Sequence, residues 1–234
     1  MRFKACSLLL IVIILMHSNV NAQLDKQKNT VSFYFENLGD QSVLLNGTKY
    51  LGYPNYFKEG HPFYGSNALQ IGQIVYDHVQ FENVKLQYDL VQDAIIFQDS
   101  IHRIQLINDK VEKFIILDQT FIRIEKDSQN TILHSSGFYN LLHDGNLKFI
   151  VKYIKTKKEA IVNTNELLGR FESSSFYYIK KNNQYHTING KKDLFNLFRD
   201  KKGKITSYVK SLGFKYREDP ENYILKVASY YDQL

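Results

Sequence analysis

Two short runs hold the densest grouping of chemically useful side chains: Gly52-Tyr-Pro-Asn-Tyr-Phe57 and Gly60-His-Pro-Phe-Tyr-Gly65. Aromatic rings held open by glycine and proline suit stacking on a sugar ring or an apolar ligand. Tyr53, Tyr56, Phe57, His61, Phe63 and Tyr64 are therefore the candidate ligand-binding residues. The same composition also describes a buried loop that plugs one end of a sheet, with tyrosine hydroxyls reaching backbone groups.

The remaining reactive side chains are dispersed. His61, His78, His102, His134, His143 and His186 show no HxH or HExxH spacing, so no metal ligands are assigned. Asp77, Asp89 and Asp93 fall near strand ends. Paired carboxylates there could serve as acid and base, but aspartates at strand ends are usually turn formers. Ser66 and Ser136 lie beside glycines without a GxSxG elbow. No phosphate-binding or dinucleotide glycine pattern occurs, and no cofactor or catalytic residue is assigned. Asn46-Gly47-Thr48 matches a glycosylation acceptor, relevant only in a eukaryotic secretory pathway.

Residues 31–188 read as β, with short runs of Val, Ile, Phe and Tyr between turn residues. Runs are expected at 71–76, 79–88, 94–97, 101–107, 111–117 and 121–125. The apolar phase slips at Glu82-Asn83, which predicts a bulge. Asn108-Asp109 and Asp118-Gln119 read as tight turns. Residues 138–142 and 147–154 form a hairpin around Asp144-Gly145-Asn146, with Asp-Gly expected to supply positive φ. A second hairpin, 176–180 with 185–188, closes on Asn182-Asn183. Residues 156–175 are polar and irregular, suiting a mobile loop or a short strand.

The last 45 residues change period. Ile205, Tyr208, Val209 and Leu212 share a helix face, and Gly213 suits the residue after its end. Asp219-Pro220 is a helix start. Tyr223, Val227 and Tyr230 or Tyr231 share the following face. Leu194, Leu197 and Phe198 mark a shorter helix before both. The expected fold is α+β: an antiparallel β-meander, as an open barrel or curved sheet, followed by about three C-terminal amphipathic helices.

Arg2 and Lys4 precede an apolar run at 7–16, and Val20 and Ala22 suit a cleavage site. Residues 1–22 therefore read as a signal peptide. The run is shorter than the roughly 20 residues that a membrane span needs. Residues 23–234 are expected to be one β-rich domain, with 189–234 a basic helical subregion. Cys6, the only cysteine, precedes the apolar run, which argues against lipidation and leaves the mature chain without cysteine. Disulfides, thiolate metal sites and thiol nucleophiles are then excluded. Residues 23–150 hold 11 basic and 15 acidic side chains, whereas 151–234 hold 17 and 9. That basic end could meet an envelope protein, an anionic glycan or lipid headgroups, or be a solvated lysine face. Few aromatics interleave its lysines, so nucleic acid is not an expected partner.

Gly60-His-Pro-Phe-Tyr64, Gly72, Tyr76-Asp77, Val84-Lys-Leu-Gln-Tyr-Asp-Leu90, Val111-Glu-Lys-Phe114, Phe121 and Gly137-Phe-Tyr-Asn-Leu-Leu142 carry a resemblance, with Gly145 beside them. Lys191-Lys-Asp-Leu-Phe-Asn-Leu-Phe198 and Tyr230-Tyr-Asp232 extend it. The chain resembles a family of uncharacterised exported β-rich proteins of Bacteroidota-type Gram-negative bacteria. The resemblance implies the periplasm or cell envelope and brings no catalytic residue; the expected destination is the periplasm or outer-membrane periphery, or secretion. The expected function is a non-catalytic envelope or secreted binding protein. Alternatives are a periplasmic carrier or chaperone for a lipid or other apolar ligand, and a hydrolase whose site is not visible in the sequence.

Overall fold

Alternating apolar residues and paired turn residues build the middle of this chain into one mostly antiparallel sheet. The computed structural model describes residues 42–162 and 166–234. The expected signal peptide and Cys6 lie outside the described residues. Every element that follows lies within the unit Leu44–Leu234.

Its strands are β1 (Gly47–Lys49), β2 (Phe57–Glu59), β3 (Gln70–Tyr76), β4 (Val79–Asp89), β5 (Ala94–Gln98) and β6 (Arg103–Leu106). Then come β7 (Val111–Ile116), β8 (Gln119–Ile124), β9 (Gly137–Asp144), β10 (Lys148–Val162), β11 (Glu166–Lys181) and β12 (Gln184–Thr187). Their order is β1-β6-β5-β4-β3-β7-β8-β9-β10-β11-β12, with β2 parallel to β11. The sheet ends at β1 and β12 without closing. Three helices follow: α1 (Lys191–Leu197), α2 (Lys202–Ser211) and α3 (Pro220–Asp232). The structure thus has the expected α+β class, with an open meander and C-terminal helices.

The expected bulge is present. Gly72 faces Val84 and Ile74 faces Phe81, so Glu82 and Asn83 oppose Gln73 alone. Asn83 takes φ 55°, a left-handed conformation that asparagine tolerates better than most residues. The slip lets β4 bury Phe81 before the bulge and Val84 and Leu86 after it.

The tight turn expected at Asn108-Asp109 is present, as a 3-10 turn over Asn108–Lys110. Two other turns depart from expectation. The β7–β8 turn sits on Leu117 and Asp118, at φ 50° and 57°, one residue earlier than the sequence suggests. The β9–β10 loop is Gly145-Asn146-Leu147, because Asp144 pairs with Lys148, and Gly145 is not among the positive-φ glycines. Glycine is needed there for space, since a Cβ would collide with the carboxylate of Asp232 and lie 2.8 Å from the His143 ring.

The largest correction is at 156–175. These residues continue β10 and β11 as a long two-stranded arm, paired from Lys148↔Lys180 out to Val162↔Glu166. Residues 158–162 are exposed on both faces. The arm therefore has no core-facing alternation for the sequence to display. Backbone pairing holds it instead, and β2 adds to its outer half.

A lattice of buried rings fills the sheet's centre. Phe121 stacks on Phe114 with centroids 4.8 Å apart, and Tyr88 meets both edge-on at 5.2–5.3 Å. Phe138 closes the group at 5.3 Å from Phe114 and 5.8 Å from Tyr88. Beside it Lys152, 1% exposed, donates to Asp93 Oδ2 at 2.6 Å and to the Phe138 carbonyl at 3.2 Å. Tyr88 also donates to Asp93, at 2.5 Å.

The helices cover a second cluster on β10–β12, where Phe149, Val151, Ile179 and Ile188 meet Leu194, Phe198, Ile205, Ile224 and Val227. Gly213 takes φ 77° after α2. Asp219 caps α3, its Oδ1 accepting from Asn222 N at 3.0 Å with Pro220 next in the chain. Asp219→Ala should lower stability by about 1 kcal/mol, read as a reduced urea midpoint at unchanged slope.

Candidate functional site

The aromatic loop forms a strap across β4 and the arm. Gly52, Gly60 and Gly65 take φ of 71°, 74° and 62°, conformations open to glycine at little cost. Each anchor comes from a neighbouring strand. Leu90 N donates to the Pro62 carbonyl and Tyr64 N to the Tyr88 carbonyl, both at 2.9 Å. Lys155 Nζ donates to the carbonyls of His61 and Phe63 at 2.7 and 2.9 Å. Gly169 lets Phe57 approach, since a Cβ there would lie 2.5 Å from that ring.

Asp89, fully buried, organises the strap. It accepts from Tyr50 Oη at 2.7 Å and from Tyr53 Oη at 2.9 Å. It also accepts from the Val91 and Gln92 amides at 2.8 and 3.0 Å. The turn role expected of Asp89 is present, and two tyrosines from the strap are added to it. Burial and the hydrogen bond to Asp89 push the Tyr50 hydroxyl above the ordinary phenol range, so it stays a donor.

Between strap, β6 and arm lies a cleft of about 360 Å³. Tyr50, Tyr53, Phe57, Phe63 and Phe171 contribute rings to its lining, and His61 and Arg103 are its basic members. Tyr53 meets Phe171 edge-on at 5.2 Å. The Arg103 guanidinium lies 4.8 Å from the Tyr50 centroid and 5.3 Å from that of Phe63. One terminal nitrogen donates to Gln87 Oε1 at 2.5 Å. Arg103 Nε and His61 Nδ1 are buried with no hydrogen-bond partner among the described residues. Burial first, and then the charge of Lys155, lower the His61 pKa.

Of the sequence candidates, Tyr53, Phe57, His61 and Phe63 line this cleft. The other two point elsewhere. Tyr56 stands beside Phe57 and donates to Glu159 at 3.0 Å. Tyr64 packs into the sheet, 4.9 Å from Phe121 and 5.2 Å from Tyr153. Sequence reasoning missed Tyr50, Arg103 and Phe171. Tyr50 adjoins the Gly52 run and could have been included. Arg103 and Phe171 arrive from strands distant in the chain, with no local signal.

The histidines outside the cleft each take a different neighbour. His78 meets Glu112 at 2.6 Å, His102 meets Asp99 at 3.0 Å, and His134 stacks on Phe176 at 4.3 Å. His186 lies along β12. His143 Nε2 is 2.7 Å from Asp232, and its Nδ1 is 3.3 Å from Ser229 Oγ. That order resembles a nucleophile, base and carboxylate. The carboxylate, however, also accepts from Leu147 N at 3.3 Å and so docks the β9–β10 loop on the last turn of α3. Among the described residues no cluster of three or more His, Cys, Asp or Glu could hold a metal ion. Asp77, Asp89 and Asp93 go to separate partners, Lys110, the two strap tyrosines and Lys152. Comparison with protein-family models, curated proteins and solved structures finds no match to this chain.

Proposed function

We propose that this is a non-catalytic binding protein whose aromatic cleft takes a small ring-bearing acid. One observation carries the reading: the Arg103 guanidinium enters a cleft lined by rings, its Nε without a hydrogen-bond partner and no carboxylate within ion-pair distance among the described residues. Buried polar groups are nearly always hydrogen-bonded. An unpaired guanidinium among rings suits a ligand acceptor, and its charge selects a carboxylate. The rings suit a flat ligand face.

Interior packing favours this surface site over a carrier. The rings of Tyr88, Phe114, Phe121 and Phe138 occupy the space where a carrier would leave an apolar cavity. Dispersed histidines favour binding over hydrolysis. Export is part of this proposal and is supported by Arg2, Lys4 and the apolar run at 7–16; the binding would then take place in the periplasm, at the outer-membrane periphery or outside the cell. Among the described residues no helix is long and apolar enough to cross a membrane.

Titration calorimetry with benzoate and glucuronate, against benzyl alcohol and glucose, tests the reading. The acids should bind and the neutral analogues should not. Arg103→Ala should weaken binding about tenfold, the value of one charge-assisted hydrogen bond. Affinity should also rise as pH falls from 7.5 to 5.5. A bound anion raises the lowered His61 pKa, so the complex takes up a proton. Equal binding of acids and neutral analogues, or an unchanged affinity in the variant, would overturn the assignment.

A further inference from the structure

Strand β12 is the last in the sheet, and among the described residues no strand pairs with its outer edge. Its turn, Asn182-Asn183 at φ 51° and 62°, makes Lys181 and Gln184 the closing hydrogen-bonded pair. Alternation then aims the backbone groups of Gln184, His186 and Ile188 at β11. Ile188 N donates to the Tyr177 carbonyl at 2.9 Å, in keeping with that phase. Tyr185 and Thr187 therefore direct their N–H and C=O groups away from the sheet. Among the described residues no backbone group pairs with them there.

An open groove of about 880 Å³ runs beside this edge. It is lined by Gln184, His186 and Thr187 of β12, and by Asn196, Leu197 and Arg199 from α1 and the turn after it. Its two aspartates are already engaged. Asp193 accepts from Asn189 N at 3.0 Å. Asp200 accepts from Lys181 Nζ at 3.2 Å and from Tyr231 Oη at 2.7 Å. Arg199 has no carboxylate within ion-pair distance among the described residues. Lys181 and Arg199 are the groove's lysine and arginine lining residues, and the segment 180–204 that holds them carries eight basic and two acidic side chains.

An unpaired strand edge is matched by one kind of partner, an extended main chain that supplies the missing donors and acceptors. The surrounding cations match acidic side chains on that chain. We propose that the β12 edge and its groove bind an extended acidic polypeptide segment, which adds to the sheet as a further strand. This site shares no residue with the aromatic cleft and stands independently of the function assigned there.

The test uses a fluorescein-labelled (Glu-Val)5 peptide, with (Lys-Val)5 and heparin for comparison. Anisotropy should show binding of (Glu-Val)5 and not of (Lys-Val)5. Thr187→Pro removes one outward N–H at an edge position where proline is tolerated. It should weaken (Glu-Val)5 at least tenfold, and Arg199→Glu should do likewise. In the unsubstituted protein the peptide should slow amide exchange at Tyr185 and Thr187 about tenfold or more. That measurement decides the matter even if Thr187→Pro fails to fold. Three results would overturn the proposal. One is peptide binding with those two amides unprotected, which indicates charge attraction alone. Another is binding of heparin without the peptide. The third is a concentration-dependent dimer that protects the same amides and excludes the peptide.

Discussion

Asp93→Asn should lower the unfolding free energy by about 3–5 kcal/mol, the range seen when one partner of a buried ion pair is removed. Lys152 is 1% exposed, and its ammonium group is matched by Asp93 Oδ2 at 2.6 Å. Asparagine preserves the shape. It also tolerates the left-handed φ of 52° at this position, so the loss isolates charge from backbone strain. What remains is a buried cation facing a neutral amide.

Burial lowers the Lys152 pKa, and Asp93 opposes that effect. Without Asp93 the pKa falls further. Between that lowered value and the ordinary lysine value the unfolded chain binds more protons than the folded one. Stability then rises with pH across this window. The deficit of Asp93→Asn should therefore shrink as pH rises from 7 toward 10. Adding Lys152→Met should recover most of it at pH 7, because a buried pair can often be replaced by apolar groups at little cost. Urea unfolding of the three proteins at pH 7 and 9.5 reads both effects. A pH-independent deficit would show that Lys152 is not the charged group responsible.

Asp89→Ala is expected to cost about 3–4 kcal/mol and to dismantle the aromatic cleft. Four donors converge on this carboxylate: the hydroxyls of Tyr50 and Tyr53, and the amides of Val91 and Gln92. Each buried donor left unpaired costs roughly 1–3 kcal/mol, and partial exposure of Tyr53 keeps the sum at the lower end. The damage should not stop at stability. Tyr50 and Tyr53 position the strap from which His61 and Phe63 enter the cleft. The chain has no tryptophan, so tyrosine fluorescence reports their release into solvent. Asp89→Asn keeps one acceptor oxygen and should lose about half as much. Thermal unfolding together with benzoate titration separates the consequences. A variant with lowered stability but unchanged affinity would show that Asp89 supports the fold without shaping the cleft.

These two aspartates show how far local patterns reach. Both read as turn residues, and both are: Asp93 takes positive φ, and Asp89 accepts from the two amides that follow it. Their second roles depend on Lys152 and on Tyr50 and Tyr53, each dozens of residues away. The cleft follows the same rule. Four of six candidates were found because glycine, proline and aromatic residues cluster in one stretch. Tyr64 belonged to that stretch but packs on Phe121 instead, because the Tyr64 amide is tied to the Tyr88 carbonyl and draws its ring over β8.

Periodicity and turn chemistry in the sequence by themselves determined the meander, the bulge at Asn83, the Asn182-Asn183 turn and the three helices with the Asp219 cap. These signals act over a few residues, and one face of each such element is buried, so the pattern is written locally. Only the tertiary structure decided that 156–175 is a paired arm, because exposed strands need no apolar alternation. It alone placed β12 last in the sheet, beside the groove that Arg199 lines, and joined Arg103 and Phe171 to the aromatic loop. Those outcomes depend on which strands become neighbours, and strand order is set by packing across the whole sheet.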